Sequence, residues 1–138
     1  MYSKMEGNFI VARFDKNTSF FDDLEEVCRK YNVKAGTVVW AIGMLKNFEV
    51  GYWNGQDYEK ETFRERLEVV SLHGTIAENE PRYHIHASGA RSNHMIVGGH
   101  LFSAIVDPLI EIQIMNVTGS KMTRVQDPSD KLYKLTIE

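Results

Sequence analysis

Apolar and polar positions alternate with a period of two along most of this chain, and follow the helical period only once. Asn8–Phe14 opens the period-2 pattern and predicts a first strand, which Asp15-Lys16-Asn17 ends. Ser19 then offers a capping hydroxyl, with Asp22 and Asp23 placed for the first helical turn. Phe20, Leu24, Val27, Cys28 and Tyr31 follow on one stripe and predict a helix over Ser19–Tyr31. Beyond Gly36 the helical period is lost. Thr37–Ile42, β-branched and aromatic, predicts a strand buried on both faces. Phe48–Trp53 and Tyr58–Phe63 flank Asn54-Gly55, a strong hairpin signal. Arg66–Leu72, prolonged through Gly74–Ala77, predicts a further strand before the acidic loop Glu78–Pro81. A hairpin over Pro81–Leu101 comes next, its second arm running on to Val106, where Asp107-Pro108 ends it. Ile110–Met115, Lys121–Val125 and Lys131–Ile137 complete the pattern. One helix with seven to nine strands predicts an α+β fold, a mostly antiparallel sheet flanked by one main helix.

The 138 residues are enough for one domain with its own core, so a single domain over 1–138 is expected. A net charge of −3 supplies no global field for nucleic acid. The single cysteine, Cys28, excludes an internal disulfide; its place on the apolar stripe reads as core, and the chain as cytoplasmic. The opening MYSKMEGN lacks an apolar core, which predicts no signal peptide, and no apolar run approaches membrane-spanning length. No phosphate loop, dinucleotide fingerprint or nucleophile elbow occurs.

Candidate chemistry concentrates in the hairpin, which holds four of the five histidines. Within His84-Ile85-His86 the two imidazoles share one face of a strand. Folding the chain back about Ala90 sets His84 roughly opposite Gly98 and brings His100 diagonally onto the same face. Gly98 and Gly99 would leave an open floor there, with a bulge re-aiming His100. Three convergent imidazoles suit a divalent transition metal. The same pair also suits half-buried structural histidines, and no carboxylate follows it at cupin spacing. For a metal site, affinity is expected to fall as pH drops through the ordinary histidine range near ~6.5.

In order along the chain stand Arg13, Gly36-Thr37, Ile42-Gly43, Glu49–Tyr52, Leu67–Leu72, His84-Ile85-His86 and Gly98-Gly99-His100-Leu101. This ordered set resembles the PPC domain shared by plants and prokaryotes, whose prokaryotic members are often labelled PD1-like DNA-binding proteins. The resemblance spans nearly the whole chain. It implies a homotrimer, and zinc or another divalent metal on His84, His86 and His100; His73 and His94 match no family position. It further implies partner contact through a segment like Arg66–Val70, with Arg66 and Glu68 as the candidate contact residues. The basic AT-hook by which plant members bind DNA is absent here.

Three functions follow as expectations. The first is a trimeric metal-binding module for binding and assembly. The second is a metal-dependent enzyme, its fourth coordination position open to water or a small-molecule ligand, with Glu68 as the best candidate base. The third is a DNA-binding protein touching phosphates through Lys121, Arg124, Lys131 and Lys134. The charge and the missing AT-hook speak against the third.

Overall fold

In the computed structural model, which describes residues 1–138, nine strands and one helix run in the order β1 (Tyr2–Glu6), β2 (Phe9–Asp15), α1 (Phe20–Lys30), β3 (Gly36–Trp53), β4 (Tyr58–Phe63), β5 (Leu67–Ile76), β6 (Tyr83–Ala90), β7 (Ile96–Asn116), β8 (Met122–Gln126) and β9 (Tyr133–Ile137). Seven strands form one sheet in the order β1-β2-β7-β6-β5-β3-β4, and β8 and β9 form a separate hairpin. Every pairing is antiparallel. The expected α+β class is therefore the observed one.

The sheet does not stay open. β3 pairs with β7, β7 with β6, β6 with β5, and β5 again with β3, so four strands close a ring. Strands must bend to do this, and the two longest carry the slips that allow it. The β3–β7 register shifts between Val38 and Trp40, Gly43 and Leu45, Lys46 and Glu49, and Glu49 and Val50. The sequence pattern reads each of these strands as two, because polar or proline residues interrupt the alternation. Pro108, which lacks an N–H, falls in the slip between the pairs Leu45–Val106 and Gly43–Ile110, where no ladder bond is required of it. Asp107 beside it is buried, and Lys16 and Lys46 neutralise it at 3.5 and 3.1 Å.

Helix α1 closes one side of the core. Ser19 caps it, its hydroxyl accepting from the Asp22 amide, and Phe20, Leu24, Val27 and Cys28 turn fully inward. They meet Ile10 and Phe14 of β2 and Ile110, Ile112 and Ile114 of β7 in a cluster of 25 buried residues. Cys28 is thus core, as its stripe predicts. Thr37–Ile42 departs from expectation: Val38 and Ala41 are buried, but Val39, Trp40 and Ile42 lie 43%, 38% and 50% exposed. The N-terminal half of β3 has one covered face, since the helix serves only the other side. No helix is long and apolar enough to cross a membrane.

Candidate metal centre

Strands β6 and β7 meet in the register His86–His100, Ala87–Gly99, Ser88–Gly98, Gly89–Val97 and Ala90–Ile96. His100 therefore faces His86 directly, and the expected pairing of His84 with Gly98 is corrected by four residues. The reason lies in the turn. Ser88, Gly89 and Ala90 continue the strand, and the chain reverses over Arg91–Met95. There the Arg91 amide donates to the Met95 carbonyl, the Met95 amide donates to the Asn93 side chain, and His94 takes a φ of 68°. Asn tolerates such turns and its side chain closes them locally. His94 is spent on the turn, far from the other imidazoles along the strand.

The glycines also act differently from expectation. A Cβ on Gly98 would lie 2.4 Å from the Ala87 carbonyl oxygen, and one on Gly99 2.6 Å from that of Gly51. They permit close approach of three backbones and leave no open floor. No bulge interrupts the β6–β7 register; the slips are in the β3–β7 and β5–β6 ladders.

His84, His86 and His100 come together on the outer face of the ring, each offering one nitrogen, all within 4.8 Å of one another. The Nε2 atoms of His84 and His86 are 3.2 Å apart. Two ligands at ~2.0–2.1 Å from a tetrahedral zinc would be about 3.3 Å apart, so this pair already has the spacing that such an ion requires. The Tyr58 hydroxyl sits 3.4 Å from Nδ1 of His100, which leaves Nε2 of that ring free for the centre. A hydroxyl at the outer nitrogen of a ligating imidazole fixes its tautomer and orientation.

Electrostatics keep the rings neutral. His100 is pushed down to about 4, first by burial, then by His84, His86, Lys60 and Arg124. His84 is lowered by burial, His86 and Arg124, and His86 by burial and His73. Neutral imidazoles are the form that ligates metal. The donor set, its spacing and its charge state all fit a divalent transition ion.

The register places the neighbours. Lys60 of β4 pairs with Gly51 of β3, Gly51 with His100, His100 with His86, and His86 with His73 of β5. Gly51 has no side chain in this row because Phe102 and Tyr58 occupy its place, 2.6 and 3.1 Å from where a Cβ would stand. Tyr58, Phe102 and His100 form an aromatic cluster with centroids 4.7 to 5.0 Å apart, both rings tilted against His100 and edge-on to each other. Lys60 lies over the Phe102 ring at 3.8 Å. The sequence reading missed Tyr58, Lys60 and Phe102, which only a cross-strand register can bring to the histidines.

Other sequence candidates fall elsewhere. Glu68 pairs with Ala90, four residues from His86, or about 13 Å along the strand. That is too far for a base acting at the triad. Arg66 and Glu68 are exposed at the start of β5 and form no ion pair with each other. His73 is on the row but outside the cluster, its Nδ1 engaged with the Ser71 hydroxyl at 3.2 Å. Arg124 is buried, its guanidinium donating to the carbonyls of Pro81 and Thr75 and to the Thr75 hydroxyl. Lys134 is paired with Asp127 and Asp130. Two of the four stripe residues, Arg124 and Lys134, are therefore engaged internally, while Lys121 and Lys131 are exposed.

A family model described as the Plants and Prokaryotes Conserved domain matches residues 1–118. Among solved structures, a metal-containing protein of Archaeoglobus fulgidus superposes with a TM-score of 0.85 at 26% identity, covering 99% of each chain. A candidate DNA-binding protein of Bacteroides thetaiotaomicron superposes with a TM-score of 0.88 at 24% identity, covering 98% of this chain and 96% of that one. A plant- and prokaryote-conserved protein of Pyrococcus horikoshii does so at 0.81 and 24%, covering 93% of this chain and 92% of that one. Among curated proteins none matches the sequence.

Proposed function

Because the chain belongs to the Plants and Prokaryotes Conserved domain family, we propose that it is a small trimeric zinc-binding protein of the cytoplasm. In this reading His84, His86 and His100 hold one divalent ion per chain, and the domain serves as a binding and assembly module, with Arg66 and Glu68 on its partner-facing segment. One observation carries it: three imidazoles bring their ligand nitrogens within 4.8 Å of one another, two of them already at tetrahedral ligand spacing. The metal-containing Archaeoglobus protein, alike over 99% of both chains, supports it. Elemental analysis of purified variants tests it. His84→Ala and His100→Ala are each expected to release the ion, and His73→Ala and His94→Ala to retain it. Metal kept in both ligand variants, or lost equally from all four, would sink the assignment.

A second reading is supported by the position of the triad. It opens on the solvent side of the sheet, where His84 and His86 are exposed. Three protein ligands leave a fourth position for water or substrate, as in catalytic zinc sites, whereas structural zinc takes four. A metal-dependent hydrolytic enzyme is therefore the alternative, with Tyr58 and Lys60, and not Glu68, beside the reacting position. DNA recognition is left out of the reading. The net charge is −3, the one helix is packed into the core by its apolar stripe, and Arg124 and Lys134 of the basic stripe near the C-terminus are engaged internally.

A further inference from the structure

The surroundings of the triad are cationic on the sides that the imidazoles leave open. Arg124 is 4% exposed and its guanidinium meets only carbonyl and hydroxyl oxygens, those of Pro81 and Thr75. Thr75 pairs with His84 across β5 and β6, so this positive charge is held on the residue beside the triad. No carboxylate neutralises it. On the opposite side Lys60 extends over Phe102, which stacks on His100. The one acid touching Lys60 is Glu49, at 3.9 Å and partly exposed, a separation at which an ion pair is weak. The registers set both cations beside the triad: Lys60 pairs with Gly51, which pairs with His100, and Arg124 holds Thr75, which pairs with His84. A divalent ion would add two more charges to a face that holds two cations and one distant carboxylate. Buried or half-buried charge left unpaired is costly, so the missing counter-charge must come from solution.

We infer that the exogenous ligand of this site is a small anion with an oxygen donor, a carboxylate or a phosphate, recognised jointly by the metal and by the Lys60 ammonium. The inference rests on the metal-binding reading above. It adds the class of ligand and the residue that selects it. Tyr58 and Phe102 wall the site on the Lys60 side and exclude a bulky ligand there, since both rings pack against Gly51 and His100. Lys60 touches no residue of the triad, and its ammonium is half-exposed on an edge strand, so replacing it leaves the fold and the ligands in place.

The test uses the whole chain with cobalt(II) in the site. Cobalt stoichiometry and its d–d absorption report the metal; titrations with acetate, inorganic phosphate and neutral imidazole, at constant ionic strength, report the ligand. Acetate or phosphate is expected to change the absorption, and Lys60→Gln to weaken that anion ~10-fold, with imidazole affinity and cobalt stoichiometry unchanged. Lys60→Arg should hold near the wild-type value. Response to only one of the two anions keeps the inference and names its donor. Cobalt bound with no anion response, or with equal anion affinity in Lys60→Gln, overturns the inference alone. Failure to bind cobalt overturns the metal reading, and the inference with it.

Discussion

At the residue scale, the three histidines owe their chemistry to where the strands put them. An isolated imidazole titrates near ~6.5, and the sequence alone leads one to expect metal to be lost in that range. The fold moves the window down, because burial and four neighbouring cationic or imidazole groups disfavour the charged form of His100, which is pushed down to about 4. The sign follows directly. Between ~6.5 and about 4 the unfolded chain binds protons that the folded chain refuses, so the metal-free protein is fully stable above ~6.5 and loses stability as pH falls toward about 4. His84 and His86 are lowered as well, so the apparent values belong to the cluster and not to single rings. Proton NMR of the imidazole C–H signals in the metal-free protein is the check. His100 should remain neutral at pH 5.5, and a His100 midpoint at or above ~6.5 would contradict the geometry described. Metal should correspondingly stay bound at pH values where exposed histidine sites have released theirs.

At the scale of elements, what the sequence makes legible is whatever a single strand or helix encodes within itself. The helix is read to within a residue at each end, since its stripe and its Ser19 cap are local signals. Tyr58–Phe63 is read to the residue, because Asn54-Gly55 fixes the hairpin before it. The shared face of His84 and His86 is a period-2 fact and needs no partner strand. What is lost depends on other strands. β1 has no buried face, so nothing in its pattern announces it; only pairing with β2 makes it a strand. β3 and β7 look like two strands each because the slips that bend them around the ring also break their alternation. The register of the histidine hairpin depends on which residues form the turn: turn chemistry over Ser88–Asn93 centres it near Ala90, whereas β6 runs on through Ala90 and the chain reverses over Arg91–Met95. Tyr58, Lys60 and Arg124 come from β4 and β8, far along the chain, and no spacing rule connects them to His100. Arg124 also ties the β8–β9 hairpin, which lies beyond the residues matched by the family model, to the ring. Its backbone exchanges hydrogen bonds with the Asn79 side chain while its guanidinium holds Pro81 and Thr75. Replacing it with Met, which keeps the bulk and removes the donors, is expected to cost ~2 kcal/mol. The loss should be local: hydrogen exchange should quicken across 122–137 and stay slow in α1 and β7. Unchanged protection of the hairpin would mean that its apolar contacts alone hold it down.

At the scale of the whole molecule, the sheet is covered on one side only. Helix α1 and the ring's interior take the inward residues of β2, β3 and β7, and nothing in the chain covers the outward ones. On that outer side the registers align Lys4, Val11, Gln113 and Trp40 in one row and Tyr2, Arg13, Glu111 and Ile42 in the next. Val11, Trp40, Ile42, Phe9 and Tyr2 are 52%, 38%, 50%, 48% and 69% exposed, a contiguous apolar surface crossed by charged residues. Scattered apolar residues need no explanation on a protein surface, but a continuous patch with charges among it is the usual composition of an interface. β1 is an edge strand and short, with Lys4 and Glu6 pointing outward, which blunts strand-to-strand addition and favours face-to-face packing of copies. A homotrimer, the count that the family resemblance implies, would bury this surface around a common axis and leave the histidine face, on the other half of the sheet, open to its ligand. Light scattering should then give three times the 15.9 kDa chain mass at micromolar concentration. Val11→Asp, which places a charge at the middle of the patch without touching the core, should shift the mass toward the monomer while leaving metal content unchanged. A wild-type monomer would end the trimer proposal, and a trimer indifferent to Val11→Asp would move the interface to another face.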